Sequence, residues 1–226
     1  MNRLHATFRP ASASRSPSPT EFPTMQILSL KRLALAAALS FSAASAFAAP
    51  VTYKLDPNHT NVLAQWSHFG FSNPFANFGQ VDGTLVYDAE DVSKSSVEVK
   101  LPLAGLNSFV PDFDEHLKSA DFFDAAKYPE ITFKSTKVEA AGKDKLKVTG
   151  DLTVKGVTKP AVLDVTLNKS GVQPLAKREA VGFDASTTIK RSEFGVDKYA
   201  PNVSDEVKLQ ITTEAVVPKP DAEKKD

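Results

Sequence analysis

The residues that could do chemistry are few and widely separated along this chain. Its 226 residues include four histidines and no cysteine, and no Gly-x-Ser-x-Gly sequence occurs among its serines. His59, His68 and His116 lie in unrelated contexts, without the i, i+2 or i, i+4 spacing that places two metal ligands on one face of a strand or helix. The lack of cysteine excludes thiolate chemistry and cysteine-ligated zinc. The sequence therefore predicts no catalytic residue and no metal site.

His68 lies in the segment WSHFGFSNPFANFG, residues 66–79, which holds five aromatic residues in fourteen positions. Because side chains alternate along an extended strand, His68 shares a face with Val62, Ala64 and Trp66, which we expect to point inward. Burial disfavours the charged imidazole, so an inward histidine needs a hydrogen-bond partner or stays neutral. Two interpretations remain open for His68. It is either a core histidine whose hydrogen bonds are made within the protein or a polar contact for a ligand.

The aromatic stretch divides into three predicted parts. Residues 60–70 are expected to form a strand, and residues 71–76, which include Pro74, are expected to connect it to the next. Phe78 is expected to begin the following strand. Rings on the connection suit a lid or a mouth better than a core.

Arg191 follows a predicted strand at residues 179–190 and is the second cation of a Lys-Arg pair. A guanidinium binds phosphate-like groups through two parallel hydrogen bonds, so Arg191 could hold an anionic headgroup at a barrel mouth. The alternative is a structural ion pair with Glu193, Asp197 or Asp205.

The elements that must position these residues are mostly strands, because apolar residues recur with a period of two. In residues 206–217, for example, Val207, Leu209 and Ile211 alternate with charged or polar residues. Long strands of this kind suit a closed antiparallel barrel, which has no free sheet edges. Nine strands are predicted, at residues 51–56, 60–70, 79–88, 95–103, 130–139, 145–155, 161–168, 179–190 and 206–217. Residues 111–119 are predicted to form a short helix, with acidic residues early and Lys118 late.

The first 48 residues are predicted to lie outside the barrel. Residues 25–48 have the layout of a secretory signal peptide: Lys31 and Arg32, an apolar run, then small residues with a cleavage site after Ala48. Residues 1–24 are rich in Ser, Pro and Arg. They are interpreted either as a non-native extension before a true start at Met25 or as a disordered leader. The tail, residues 218–226, is polar and predicted to be disordered.

The charge of the exported part excludes some partners. Residues 49–226 hold 22 basic and 26 acidic residues, a balance of −4. A mildly acidic surface has no electrostatic footprint for nucleic acid. No segment after the leader has the roughly 20 apolar residues of a membrane-spanning helix, so no stable membrane insertion is expected. The sequence leaves open whether the chain forms a homodimer.

Several sequence blocks resemble the YceI family. DPNHTNVLAQWSHFG resembles the family's opening motif, and FGQVDGTLVYD, HLKSADFFDAAKYPEITFKS, GDLTVKGVTKPAVLDV, STTIKRSEFGV and VSDEV follow in the family's order. The resemblance implies an all-β fold, an extended lipocalin-like antiparallel barrel over residues 49–217 with the short helix at 111–119. It also implies a tunnel for long isoprenoid or similar amphiphilic lipids, without catalytic residues or a cofactor. Ala64, Phe113 and Ala76 stand where the family usually has an aromatic residue, an arginine and a glycine.

The pattern of inward residues also suits a tunnel. Small residues (Ala64, Gly150, Ala161, Ala185) alternate with large ones, which would leave a channel walled by rings. The predicted ligand-binding residues are Trp66, His68, Phe78, Phe133, Leu152, Phe183 and Arg191.

The function predicted from these observations is a periplasmic carrier or store for a long-chain isoprenoid or quinone-like lipid. One alternative is an interaction module that supports a membrane redox or stress-response system. A third is an enzyme acting on a lipid headgroup with His68 or His116 as base.

Overall fold

The structure is a computed structural model that describes residues 49–220. The predictions for residues 1–24, for the signal peptide up to Ala48 and for residues 221–226 of the tail lie outside this range. Pro218, Lys219 and Pro220 are described and form no regular element.

Eleven strand segments account for most of the described chain. Their bounds are β1 Val51–Leu55, β2 Asn61–Gln65, β3 Phe75–Phe78, β4 Asp82–Tyr87, β5 Ser96–Pro102, β6 Leu106–Asn107, β7 Glu130–Gly142, β8 Lys145–Val154, β9 Val157–Val172, β10 Glu179–Lys190 and β11 Glu206–Val216. Short 3₁₀ turns lie at Val92–Lys94, Leu103–Gly105 and Arg191–Phe194. Every pairing between the segments is antiparallel.

The segments close into a barrel of eight strands. β1 and β2 both pair with β11, at Leu55↔Ala215 and Ala64↔Leu209, so they occupy one strand position interrupted by a turn. In the same way β3 continues into β4, and β5 into β6. The barrel runs β1/β2, β3/β4, β5/β6, β7, β8, β9, β10, β11 and back to β1/β2. The predicted all-β barrel is confirmed.

The predicted helix is confirmed as α1, Pro111–Lys118, the one α-helix among the described residues. Pro111 is well placed at the first turn because its missing N–H has no acceptor there. Asp112 and Asp114 lie at the positive end of the helix dipole and Lys118 at the negative end. Leu117 is buried and fixes the helix against the barrel.

The antiparallel order places α1 at one end of the barrel. The β2–β3, β6–β7, β8–β9 and β10–β11 connections all lie at that end, called the mouth here. Lys155, in the β8–β9 turn, donates to the carbonyls of Ala120 and Gly195, which ties three of these connections together. The β4–β5, β7–β8 and β9–β10 connections lie at the opposite end.

The opposite end of the barrel is filled by side chains. Tyr53, Val181 and Ala215 are buried there, and Tyr87 and Phe183 pack edge to face at 5.5 Å between ring centroids. Burial raises the pKa of the Tyr53 and Tyr87 hydroxyls. These side chains pack the barrel interior at this end, and the middle of the barrel stays open.

Three predictions around the aromatic stretch were wrong in detail. Phe78 ends β3 instead of beginning the following strand, which starts at Asp82. The connection predicted at residues 71–76 is shorter, because Phe75 and Ala76 belong to β3 and pair with β2 at Gln65↔Phe75 and Ala64↔Ala76. Ala64 and Ala76 are both small, so β2 and β3 can pair here without a steric clash. The predicted strand at 60–70 ends as a regular strand at Gln65, and beyond it His68 forms two isolated bridges, with Ser72 and with Val203.

Candidate ligand-binding tunnel

A cavity of about 370 Å³ runs through the barrel between the filled end and the mouth. Its wall is apolar along the middle, formed by inward side chains of the barrel strands. All seven predicted ligand-binding residues line it: Trp66, His68, Phe78, Phe133, Leu152, Phe183 and Arg191. Their placement in one cavity agrees with the sequence, and their contact with a ligand stays a prediction.

The alternation of side chains along each strand decides which residues line the tunnel. On β2 the inward residues are Val62 and Ala64, and the same face continues to Trp66 and His68. Several inward residues of the other strands are only half-buried, because they face the lumen of the tunnel instead of another side chain. These are Val99, Ala185, Ile189, Leu209 and Ile211.

Gly150 shows how a small residue shapes the tunnel wall. A Cβ added at Gly150 would lie 2.5 Å from the Phe133 Cζ and 2.5 Å from the carbonyl oxygen of Lys134. The Phe133 ring therefore packs against the Gly150 backbone, in space that a larger side chain at position 150 would occupy. The sequence had placed a small residue next to a large one here, and the structure gives the reason.

Aromatic rings from three connections surround the mouth. The Trp66 and Phe113 centroids are 6.0 Å apart, and the His116 ring stacks on Phe113 at 6.3 Å and meets the edge of Phe122 at 4.8 Å. Tyr199 packs at 6.3 Å from Phe122. The tunnel is open at this end, because His68 and Tyr199 line it and are also exposed.

The contributions of α1 and the β10–β11 connection were not predicted from sequence. Phe113, His116, Tyr199 and Val203 all line the tunnel, although none lies on a barrel strand. The spacing of Phe113 and Leu117 on α1 is the one signal that could have indicated an inward helix face. No local signal distinguishes Tyr199 from a solvent-exposed loop residue.

Arg191 is buried and donates to four backbone carbonyls. Its Nε donates to Ser204 (2.9 Å), Nη1 to Val196 (2.6 Å) and Lys198 (3.0 Å), and Nη2 to Val203 (2.8 Å). Burial lowers the pKa of the guanidinium, and Asp205 and Asp197 oppose that shift from a distance. These bonds hold the 196–204 segment as one wall of the mouth.

The expected ion pair of Arg191 with Glu193, Asp197 or Asp205 was wrong. Within residues 49–220 none of these carboxylates is paired with it. Asp205 instead accepts from the Ser192 N–H and hydroxyl, each at 2.8 Å. Carbonyls satisfy the guanidinium because the segment folds back over it.

The Asp-Pro-Asn-His-Thr motif forms the turn between β1 and β2. Asp56 accepts from the Asn58 N–H at 2.9 Å, and its other carboxylate oxygen is 2.8 Å from the His59 Nδ1. The hydrogen bond to His59 lowers the pKa of Asp56 and raises the pKa of His59. Thr60 is buried and its hydroxyl meets that of Thr213 at 2.8 Å. This motif builds a turn and places no reactive pair in the tunnel.

A second opening lies near the opposite end. β7 has a bulge between Ser135 and Lys137, and its pairing with β5 stops at Glu98↔Lys134. The N–H of Val97 donates to the Ser135 hydroxyl at 2.8 Å instead of continuing the ladder. Ser96 lines the tunnel there and is exposed, so the bulge leaves an exit between strands.

Two histidines, His68 and His116, line the tunnel. Neither His68 nor His116 forms an ion pair with a carboxylate within residues 49–220. No cluster of three or more histidine or acidic side chains that could hold a metal ion occurs among the same residues.

In the part of the chain that the structure describes, no helix is long and apolar enough to cross a membrane.

Comparisons with known proteins agree with the fold and the motifs. A sequence model of the YceI-like domain matches residues 53–215. Protein YceI of Escherichia coli O157:H7 is 38% identical over 180 residues, which are 80% of this chain and 93% of that protein. The crystal structure of Burkholderia cenocepacia BcnA matches with a TM-score of 0.65 at 26% identity, over 71% of this chain and 98% of that one. A polyisoprenoid binding domain from Saccharophagus degradans, 13% identical, shares the fold with a TM-score of 0.52, over 74% of this chain and 98% of that one.

Proposed function

The chain belongs to the YceI-like domain family, and from this membership we propose that it is a non-enzymatic periplasmic carrier or store for a long-chain isoprenoid or similar amphiphilic lipid. The observation that carries the proposal is the open tunnel, apolar along its middle and polar at its two ends. A quinone-like lipid fits the same description, and no cofactor is required.

The tunnel wall favours a long apolar chain over a compact polar molecule. Each buried methylene contributes about 0.8 kcal/mol, so about ten sequestered carbons supply about 8 kcal/mol before the cost of ordering the chain. The charged group nearest the lumen, Arg191, is already satisfied by four carbonyls. Affinity then follows chain length and width, and selectivity among lipids is loose.

The polar groups at the two ends suit an amphiphile with a polar head. His68, His116 and Tyr199 lie at the mouth, while Ser95 and Ser96 lie at the second opening. A headgroup at the mouth can exchange hydrogen bonds with imidazole, phenol and water while the chain stays in the lumen.

Two further points support the proposed location and the lack of catalysis. The layout of residues 25–48 is that of an export signal. Neither His68 nor His116 forms an ion pair or a hydrogen bond with a carboxylate among the described residues, and a general base needs a group that orients it. The protein described from S. degradans as polyisoprenoid binding shares this fold.

The test is to extract the protein, purified from cells expressing the full chain, with organic solvent and to identify lipids by mass spectrometry. About one isoprenoid or quinone-like molecule per chain is expected. Ala185→Phe should abolish this because Ala185 faces the lumen, whereas Ser186→Phe, the next residue on β10, faces solvent and should not.

Thermal unfolding of both variants checks that they fold. If the wild-type extract holds no stoichiometric lipid and the delipidated protein takes up no polyprenol, the proposal is wrong. Equal lipid content in a folded Ala185→Phe variant would place the lipid outside the tunnel and would also overturn it.

A further inference from the structure

Six exposed apolar side chains gather around the mouth of the barrel, and one of them, Tyr199, also lines the tunnel. Phe71 is 93% exposed and Phe109 66%, and with them lie Phe69, Phe75, Val110 and Tyr199. These six residues form the aromatic face. The other large exposed apolar residues of the described chain are Val157, Val162, Val172 and Leu175, so every exposed aromatic ring of this set belongs to the aromatic face.

Hydrogen bonds and ring contacts join the three connections into one surface. The Phe69 N–H donates to the Asn202 carbonyl and the Ser204 N–H to the Ser67 carbonyl, both at 2.9 Å. The Phe75 and Phe109 rings meet edge to face at 5.8 Å. These contacts fix the three connections relative to one another, so their side chains form one surface.

The backbone is strained where it presents these rings. Phe69, Phe109 and Tyr199 have φ values of 54°, 67° and 65°, in the left-handed region that bulky residues rarely adopt. One of the three lies in each connection. Such strain is costly and occurs mainly at functional sites, and here it accompanies aromatic rings directed into solvent.

The stretches that carry the six side chains contain no formally charged residue. Residues 66–81, 103–111 and 199–204 contain no Asp, Glu, Lys or Arg. The nearest lysines are already paired, Lys118 with Glu115 at 3.3 Å and Lys198 with Asp121. The rings thus lie on uncharged stretches, flanked by Asp112 and by the Lys198–Asp121 pair, and these stretches hold no basic cluster of the kind that recognises anionic lipid headgroups.

From these observations we propose that the aromatic face docks the mouth of the barrel onto a neutral, zwitterionic phospholipid bilayer, with Phe71 and Phe109 inserted at the interface. Aromatic rings favour the boundary between headgroups and hydrocarbon, and uncharged loops can approach it without burying a charge.

The aromatic face lies beside the tunnel opening, so docking would bring that opening to the bilayer. Trp66 faces the lumen, His68 lies at the opening and Phe69 is outside, all within four residues of one strand end. A molecule leaving the tunnel through a docked mouth would enter hydrocarbon without crossing water. Docking itself does not depend on what the tunnel carries, so it goes beyond the proposed lipid binding and is tested separately.

The first experiment measures co-flotation of the purified protein with phosphatidylcholine vesicles. Wild-type protein should float with the vesicles, and Phe71→Ser/Phe109→Ser should bind about tenfold less. Leu175→Ser is the matched control, because Leu175 is 89% exposed at the opposite end, and it should bind like wild type. A wild type that fails to bind, a double variant that binds equally, or binding that requires phosphatidylglycerol would overturn the proposal.

The second experiment locates the inserted surface with bromine-labelled phosphatidylcholine, which quenches nearby tryptophan. Trp66 is the one tryptophan of the chain, so a Trp66→Phe background removes its signal. In that background Phe71→Trp should be quenched and Leu175→Trp should not. Equal quenching would contradict insertion at the mouth. If sedimentation shows a wild-type dimer that Phe71→Ser/Phe109→Ser dissociates, the aromatic face is a contact between copies and the proposal is wrong.

Discussion

The indole of Trp66 lies 6.0 Å from the ring of Phe113, measured between centroids, and this contact joins the end of β2 to helix α1. Both rings line the tunnel and both are half-buried. Helix and barrel thus share one wall at the mouth, and the position of α1 sets how wide the mouth opens.

Phe113→Ala should loosen α1 and expose the indole to water. Removing a half-buried ring is expected to cost about 1–2 kcal/mol of unfolding free energy, less than for a fully buried phenylalanine. Because Trp66 is the single tryptophan, its emission should shift to longer wavelength. Phe109→Ala at the same end, which has no contact with Trp66, should leave the emission unchanged. An unshifted spectrum in Phe113→Ala would show that the contact does not protect the indole.

Gly150→Ala should destabilise the barrel, because the added Cβ would lie 2.5 Å from both the Phe133 ring and the Lys134 carbonyl oxygen. The expected cost is about 1–3 kcal/mol in urea unfolding, the usual range for overpacking. Gly182→Ala is the control: the nearest atom to its added Cβ is 3.8 Å away, so it should be tolerated. Phe133→Leu should partly rescue Gly150→Ala, and a lack of rescue would assign the whole cost to the backbone contact.

Arg191→Lys separates the two roles considered for this residue. One ammonium cannot replace four hydrogen bonds to separated carbonyls, so unfolding free energy should fall by about 2–4 kcal/mol and protease cleavage within 196–204 should increase. Arg178→Lys should cost less, since Arg178 donates to the Val217 carbonyl and its buried Nε has no partner among the described residues. Unchanged stability with weaker lipid binding would instead assign Arg191 to the headgroup.

Protonation of the Asp205 carboxylate should lower the unfolding free energy at acidic pH. Burial alone would raise the pKa of its carboxyl, but hydrogen bonds from the Ser192 N–H and hydroxyl lower it below the usual 3.8. A pKa lowered in the folded state means that the stabilisation is present above pH 3.8 and is lost as pH falls through the folded value. Between about pH 5 and about pH 2 wild type should therefore lose more unfolding free energy than Asp205→Asn. Parallel curves would contradict the assignment.

Much of the barrel and its lumen could be predicted because strand alternation is a local property. Because side chains alternate along an extended strand, Val62, Ala64, Trp66 and His68 fall on one face of β2 and its continuation independently of the rest of the chain. The same rule placed Phe133, Leu152 and Phe183 inward. The contacts of these residues with a ligand remain predictions.

The sequence by itself determined the fold class, the short helix near residues 111–119 and the inward face of strands such as β2, since hydrophobic period and propensity act over a few residues. Only the tertiary structure decided the partners of Arg191, the exit at the Ser135 bulge and the gathering of Phe69, Phe109 and Tyr199 into one face. Each of these depends on segments that lie far apart along the chain and meet when the barrel closes. Local patterns carry no information about such meetings, because the same loop sequence can contact any neighbour that the strand order brings to it.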